Sequence, residues 1–67
     1  MRITLNNNPE IFDEDVLSIE EIIQKKNFTF KMLVTKLNDQ VVVKNERTTT
    51  FVKDGDDLMV LHLVSGG

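Results

Sequence analysis

The chain has 67 residues, with eight basic and eleven acidic side chains, a net charge of -3 and no cysteine. This length allows one domain with a thin core, because so short a chain buries only about 60% of its unfolded surface. The acidic balance argues against nucleic-acid binding, and the lack of cysteine excludes disulfides, thiolate zinc sites and thiol nucleophiles.

The N-terminal segment predicts a β-hairpin. Apolar and polar residues alternate over residues 1–6, which is the period of a strand with one buried face. Residues 6–9 read Asn-Asn-Asn-Pro and predict a turn, because asparagine tolerates left-handed backbone and proline lacks the N–H that a β-ladder needs. Residues 10–12 are then expected to return as a short second strand.

A single helix is predicted over residues 19–26. Ser18 stands three residues before Glu21, so each side chain can accept a hydrogen bond from the other residue's backbone N–H in a capping box. The isoleucines of the segment share one helical face, and its two lysines suit the negative C-terminal end of the helix. Packing of the isoleucine face is expected to supply most of the stability, since isoleucine is a mediocre helix former.

The second half of the chain predicts a second hairpin and a final strand. The hairpin strands are residues 32–37 and 41–43, with an Asn-Asp-Gln turn between them. Residues 44–50 are polar and are expected to be irregular. A turn at residues 54–56 then leads into a final strand over residues 58–63.

The order strand, strand, helix, strand, strand, strand predicts an α+β domain in which one helix covers one face of a sheet. The final strand is apolar on both faces, because Leu58 and Val60 alternate with Met59, Leu61 and Leu63. One of these sets is therefore left exposed, and an exposed apolar strip on a small protein usually marks a partner surface. The alternatives are that loops cover the strip or that a dimer hides it.

Few residues could carry catalysis. Ser65 is close to His62 in sequence, but it lies on a tail where no fixed geometry is expected, and Ser18 is needed for the helix cap, so no catalytic triad is predicted. His62 is expected to be an ordinary strand residue. The acidic run at residues 54–57 lacks the length and the final glutamate of a calcium loop, and residues 13–15 are expected to form a solvated loop.

The sequence ends in Gly66 and Gly67. Two terminal glycines arise by chance in roughly one chain in two hundred, so an incidental pair is one alternative. A tail without side chains can also enter a narrow channel and present its α-carboxylate to another enzyme, since no Cβ obstructs the backbone. A free carboxylate is unreactive toward nucleophiles, so such an end would need activation, most simply as an acyl adenylate made from ATP. The chain would then be a substrate rather than a catalyst.

Three motifs carry a resemblance to a known family. They are Asn-Asp-Gln-Val-Val at residues 38–42, Asp-Gly-Asp at residues 54–56 and Ser-Gly-Gly at residues 65–67. Over essentially its whole length the chain resembles the ThiS sulfur carrier family, within the ubiquitin-like β-grasp superfamily. The resemblance implies one domain over residues 1–67, with a mixed sheet of four to five strands, one helix packed on one face and a flexible tail at residues 64–67.

The resemblance also implies a function. The carboxylate of Gly67, extended on Gly66, would be adenylated by a ThiF-like enzyme and converted to a thiocarboxylate. The sulfur would come from a cysteine desulfurase or another persulfide donor, and it would pass to thiazole synthase (ThiG) in thiamine biosynthesis. The protein itself would bind no cofactor and no metal, because the partner enzyme consumes the ATP.

The β-grasp pattern further implies a partner-binding surface. Met59, Leu61 and Leu63 would face away from the helix and form the apolar dock for the adenylating enzyme. Ser65 in the tail and the cation Lys44 would add further partner contacts.

Two positions depart from the family pattern, which often has Pro-Arg after the middle hairpin and an aromatic residue three positions later. Here the first pair reads Val43 and Lys44, and Arg47 replaces the aromatic residue. Lys44 keeps a positive charge without the planar fork of arginine. These departures bear on partner contacts and not on the fold or on the role of the glycine pair.

Three other functions remain open from the sequence. The small subunit of molybdopterin synthase is similar in fold and glycine ending but delivers its sulfur to a pterin precursor; the shortness of this chain favours the thiamine branch. A ubiquitin-like modifier would form isopeptide bonds through the same activated end. A plain interaction domain would have no use for the tail.

The expected compartment is the cytoplasm. Residues 1–6 alternate in polarity where a secretory signal peptide would be continuously apolar. The longest apolar run, residues 58–61, is far shorter than the roughly 20 residues of a membrane span. Neither a membrane nor a nucleic acid is expected among the partners.

Overall fold

The computed structural model describes residues 1–29 and 31–62. The predicted tail at residues 64–67 and the predicted site residue Leu63 lie outside the described residues. In chain order the elements are β1 (Arg2–Leu5), β2 (Asn8–Ile11), β3 (Val16–Ser18), α1 (Ile19–Lys25), β4 (Leu33–Leu37), β5 (Gln40–Val42), a 3-10 turn (Lys44–Glu46), β6 (Phe51–Lys53) and β7 (Asp57–His62).

The main sheet contains five strands in the order β2-β1-β7-β4-β5. Strand β7 lies at its centre, parallel to β1 and antiparallel to β4, while both hairpins are antiparallel. Helix α1 packs on one face of this sheet through its buried isoleucines. A mixed five-stranded sheet with one helix on one face confirms the predicted α+β, β-grasp architecture.

Both hairpin turns are tighter than predicted. Asn6 and Asn7 have φ values of 51° and 67°, and Asn38 and Asp39 have φ values of 50° and 70°. Two consecutive left-handed residues make the two-residue turn whose twist suits a hairpin. Strands β2 and β5 therefore begin earlier than predicted, and the expectation that Pro9 belongs to the turn is wrong. Pro9 lies in β2 instead, where an edge strand tolerates its missing N–H.

The predicted helix and its cap are confirmed. The backbone N–H of Glu21 donates to Ser18 Oγ at 3.0 Å, and the N–H of Ser18 donates to Glu21 Oε1 at 2.8 Å. The helix ends one residue earlier than predicted, with Lys26 as its C-cap. The apolar residues predicted to face the helix are all buried: Ile3, Leu5, Ile19, Ile22, Ile23, Leu58 and Val60.

A second, two-stranded sheet was not predicted. Strands β3 and β6 pair antiparallel at the N-terminal end of α1. Residues 51–53, for which the sequence pattern predicts no element, therefore form a strand. Leu17 and Val52 face each other across this pair and are buried, which extends the core beyond the main sheet. Strands of three residues are too short to show a periodicity, which is why the sequence pattern did not reveal them.

Two ion pairs tie the end of α1 to β2 and to the segment that follows β2. Lys25 Nζ lies 2.8 Å from Glu14 Oε2, and Lys26 Nζ lies 2.7 Å from Glu10 Oε1. The hydrogen bond with Lys25 lowers the pKa of Glu14, and the same bond raises the pKa of Lys25. Because the Lys25–Glu14 pair is largely exposed and the Lys26–Glu10 pair only partly buried, the pairs orient these segments more than they stabilise the fold.

Asp56 joins the turn before β7 to the turn between β4 and β5. Its carboxylate accepts hydrogen bonds from the backbone N–H of Lys53 at 2.9 Å and from Asn38 Nδ2 at 3.1 Å, while Asn38 Oδ1 accepts from the N–H of Asp57. Gly55 completes the turn with a φ of 88°, a conformation that favours glycine. Burial alone would raise the pKa of Asp56, but the hydrogen bonds and the charge of Lys53 outweigh it and lower the pKa.

Replacing Asp56 by asparagine is expected to lower the free energy of unfolding by about 1 kcal/mol at neutral pH, because one of two partly buried donors loses its acceptor. Since the native pKa lies below the unfolded one, the carboxylate stabilises the fold above about pH 4 and loses this contribution as the pH falls through the native pKa. Urea unfolding of both proteins at neutral and acid pH should show their difference shrinking in acid. A difference that does not change with pH would contradict this role.

Candidate functional site

The last strand, β7, presents different residues to the two faces of the sheet. Leu58 and Val60 are buried toward α1, whereas Met59 is half-buried and Leu61 is 42% exposed. Successive side chains of a strand point to opposite faces, so Met59 and Leu61 lie on the face away from the helix. Two of the three residues predicted to form the dock therefore share one open face, and the third, Leu63, lies outside the described residues.

The strand register adds three neighbours to this face. On β4, Val34 lies beside Leu61 of β7 and Lys36 lies beside Met59 of β7. Val41 of β5 lies beside Lys36. Val41 is 65% exposed at the edge of the sheet. We call this set of five residues the outer strip. An apolar strip that holds one lysine suits a partner surface with an apolar hollow and a nearby carboxylate.

An asparagine side chain holds β7 in place close to its end. The parallel ladder between β1 and β7 ends at the pair Leu5 and Leu58. Beyond it, Asn6 Nδ2 donates to the carbonyl of Val60 at 3.1 Å, and the N–H of Val60 donates to Asn6 Oδ1 at 2.7 Å. The side-chain amide thus continues the ladder as a peptide group would, and it fixes the strand that leads to the tail.

Replacing Asn6 by glycine should lower the free energy of unfolding by about 1–3 kcal/mol, because glycine keeps the left-handed backbone but leaves both polar groups of Val60 without partners. Asn7→Gly is the matched control, since Asn7 also has a positive φ but is exposed and makes no such bonds. Denaturant unfolding and amide exchange at Val60 would measure the effect. Equal losses in the two variants would show that the side-chain bonds do not matter.

Strand β7 ends at His62, opposite Leu33 of β4. His62 is a strand residue, as the sequence predicts, and it is exposed. The tail residues with predicted roles, Ser65, Gly66 and Gly67, follow directly in sequence and lie outside the described residues. The geometry that can be described is therefore that of the strand from which the tail continues.

Lys44, the predicted cationic contact, does not lie on the outer strip. It begins the 3-10 turn and lines a cavity on the α1 side of the sheet, together with residues of the helix such as Ile23 and Gln24. The structure therefore brings Met59 and Leu61 together but places Lys44 on the other face. A partner that contacts both the outer strip and Lys44 must reach around the edge of the sheet.

The expectation that residues 44–50 are irregular is wrong in part, since Lys44–Glu46 form a 3-10 turn. The segment is polar as expected, but its Arg47 is only 7% exposed. Its Nε donates to Thr35 Oγ1 at 3.1 Å, and its Nη2 donates to the carbonyl of Leu33 at 2.6 Å. Thr35 is itself fully buried and donates to the carbonyl of Val42. The signal that could have revealed this burial is the family pattern, which has an aromatic residue at the position of Arg47.

In residues 1–29 and 31–62, no helix is long and apolar enough to cross a membrane. Within the same residues, no group of three or more His, Cys, Asp or Glu side chains is placed to hold a metal ion.

Comparison with known proteins gives a consistent result. The family model described as "ThiS family" matches residues 2–67. The crystal structure of the thiamine biosynthesis protein (ThiS) from Geobacter metallireducens is similar, with a TM-score of 0.90 and 28% identity over all of both chains. The solution structure of a thiamine biosynthesis protein from the same organism has a TM-score of 0.81 and 28% identity over all of this chain and 88% of the other. No curated protein shows significant similarity to the chain.

Proposed function

Because the chain belongs to the ThiS family, whose members are small sulfur carriers of thiamine biosynthesis, we propose that it carries sulfur as a thiocarboxylate on Gly67. The observation that supports this most strongly is the family match itself, which extends through residue 67. The full-length similarity to solved proteins of thiamine biosynthesis agrees with it.

The proposed chemistry takes place on the α-carboxylate of Gly67. That carboxylate attacks the α-phosphate of ATP in the adenylating enzyme, pyrophosphate leaves, and an acyl adenylate forms. A persulfide sulfur then attacks the acyl carbon and AMP leaves with the electron pair of the broken C–O bond. A thiol reductant splits the resulting acyl disulfide, which leaves the thiocarboxylate on Gly67 and an oxidised disulfide. The chain supplies only the carboxylate, since it has no cysteine.

The outer strip is the proposed dock for a ThiF-like adenylating enzyme. Its exposed Leu61 and half-buried Met59 lie on the strand that leads into the tail. A partner that binds this strip would hold the start of the tail at a fixed position, which would leave only a few residues to be placed in its nucleotide site. Leu63 and Ser65, by sequence, would continue this contact.

Thiazole synthase is the proposed acceptor of the sulfur. To test this, the chain would be treated with ATP, a ThiF-like enzyme and a persulfide donor. It would then be mixed either with thiazole synthase and its thiazole precursors or with the large subunit of molybdopterin synthase and its pterin precursor, so that an acceptor for the sulfur is present in each case. We expect a complex and loss of the thiocarboxylate only with thiazole synthase. Transfer only in the presence of the molybdopterin enzyme would overturn the proposed acceptor. Lysine-linked adducts of higher mass would instead indicate a protein modifier.

A further inference from the structure

A small cavity lies on the side of the sheet opposite the outer strip. Helix α1, the segment after it, strand β4 and the 3-10 turn line this half-open cavity, which has a volume of about 180 Å³. Ile23 and Phe28 give it an apolar wall. This volume is well below the roughly 300–1,000 Å³ of pockets that hold whole small molecules, so the cavity suits a single chemical group.

The charged groups that line the cavity are mostly cationic. Lys31, Lys44 and Arg47 line it, against a single carboxylate, that of Glu20. Glu20 Oε2 accepts a hydrogen bond from Gln24 Nε2 at 2.9 Å, so this carboxylate is partly satisfied by a neutral neighbour on its own helix. A net positive lining is notable in a chain whose overall charge is -3.

The 3-10 turn explains how two of these cations come together. The N–H of Arg47 donates to the carbonyl of Lys44 at 3.3 Å, which closes one turn of the 3-10 type. Residues three apart in such a turn project on the same side. Lys44 and Arg47 therefore both line the cavity, with Lys44 exposed at its rim and Arg47 buried at its base.

Arg47 is a buried cation that has no anionic partner among residues 1–29 and 31–62. The described ion pairs all involve lysines, and the described hydrogen bonds of Arg47 are to neutral oxygens of Thr35 and Leu33. Those two bonds use Nε and Nη2, and Nη1 has no hydrogen-bond partner in the same residues. Since every buried side-chain nitrogen and oxygen there has a partner, Nη1 is the part of the guanidinium that stays accessible to solvent. A buried charge is costly unless it is paired, so an anion that replaced solvent at Nη1 would stabilise the guanidinium.

We propose that this cavity binds an oxyanion of the size of a phosphate or carboxylate group. The guanidinium of Arg47 would donate to it through Nη1, and the ammonium groups of Lys31 and Lys44 would approach it from the rim. Hydrogen bonds between such cations and oxyanions are about twice as strong as neutral ones. A free phosphate and a carboxylate share this chemistry, and their relative affinities for the cavity distinguish between them.

The test is a titration of the full chain, followed by ¹H–¹⁵N NMR, with inorganic phosphate and with acetate, each against chloride at equal ionic strength. We expect saturable shifts of the backbone and side-chain signals of Lys31, Lys44 and Arg47. The double variant Lys31→Gln/Lys44→Gln should weaken binding about tenfold or more, since two charge-assisted contacts are lost. Lys36→Gln is the control for loss of positive charge elsewhere, because it removes one lysine charge on the outer strip.

Comparison of the two anions shows which kind of oxyanion the cavity prefers. Tighter binding of phosphate indicates a phosphate ligand, and tighter binding of acetate indicates a carboxylate. Binding should also raise the denaturation midpoint in wild type and in Lys36→Gln, and should raise it less in the double variant, because a ligand stabilises the state that binds it in proportion to its affinity. Shifts that do not saturate, or that persist unchanged in the double variant, would overturn the proposal. Both substituted lysines are exposed, so the double variant is expected to fold.

Discussion

Deleting Gly67 is expected to abolish formation of the thiocarboxylate and to leave the fold unchanged. The reacting carboxylate would move back by one residue, about 3.3–3.6 Å along the chain, and would no longer reach the α-phosphate of ATP. Misplacement of a reacting group by even 1 Å can cost about a hundredfold in rate. Adenylation would be measured as release of pyrophosphate, and folding by urea denaturation.

Gly67→Ala provides the graded comparison for this deletion. It keeps the carboxylate at its proper position but adds a Cβ that a narrow channel would obstruct. We expect activity between that of the wild type and that of the deletion, at unchanged stability. Full thiocarboxylate formation after deletion of Gly67 would refute the carrier mechanism.

The second large effect is expected at Leu61. Truncation of Leu61 to alanine should weaken binding to a ThiF-like enzyme about tenfold or more, because central apolar contacts carry much of the energy of an interface. The same change should cost the isolated protein little stability, since the side chain is 42% exposed and lies on the face away from the core. Calorimetric titration and denaturant unfolding measure the two quantities separately.

Phe51→Ala is the matched control for Leu61→Ala. Phe51 is 55% exposed, so it presents an even larger apolar group to solvent, but it lies on β6 of the second sheet. We expect this variant to bind the adenylating enzyme as the wild type does. Equal losses of binding in the two variants, or an equal loss of stability and binding in Leu61→Ala, would count against the outer strip as the dock.

The elements that the sequence predicted best are those with local causes. The capping box of Ser18 and Glu21 depends on groups three residues apart, and both of its hydrogen bonds are present. The alternation of Leu58, Met59 and Val60 depends on the period of a strand, and it correctly separates the buried residues of β7 from the more exposed ones. In each case the pattern lies within a few neighbouring residues, so no knowledge of the rest of the chain is needed.

The features that the sequence did not predict depend on distant partners. Asn6 suited a turn, but its hydrogen bonds to Val60 require the parallel placement of β1 beside β7. Arg47 lies in a polar segment, and only the positions of Leu33 and Thr35 on β4 give its guanidinium buried acceptors. Charge and local periodicity carry no information about such long-range bonds.

The candidate site was predicted in part. Alternation along β7 was enough to place Met59 and Leu61 on one face, but their neighbours Val34 and Val41 follow from a strand register that the sequence does not specify. Lys44 was grouped with the dock because of the family pattern, whereas the 3-10 turn directs it to the cavity beside α1. The roles of these side chains stay predictions until binding is measured.

The carrier proposal is tested most directly by the intact mass of the protein after incubation with ATP, a ThiF-like enzyme and a persulfide donor, followed by a thiol-directed alkylating reagent. Replacement of oxygen by sulfur changes the mass almost as much as oxidation of a methionine, and the chain has three methionines. Alkylation resolves this, because a thiocarboxylate reacts with the reagent, a methionine sulfoxide does not, and the chain has no cysteine. The account predicts one alkylated group, located on Gly67 by fragmentation. An unmodified Gly67, with an enzyme shown to activate another carrier, would contradict it.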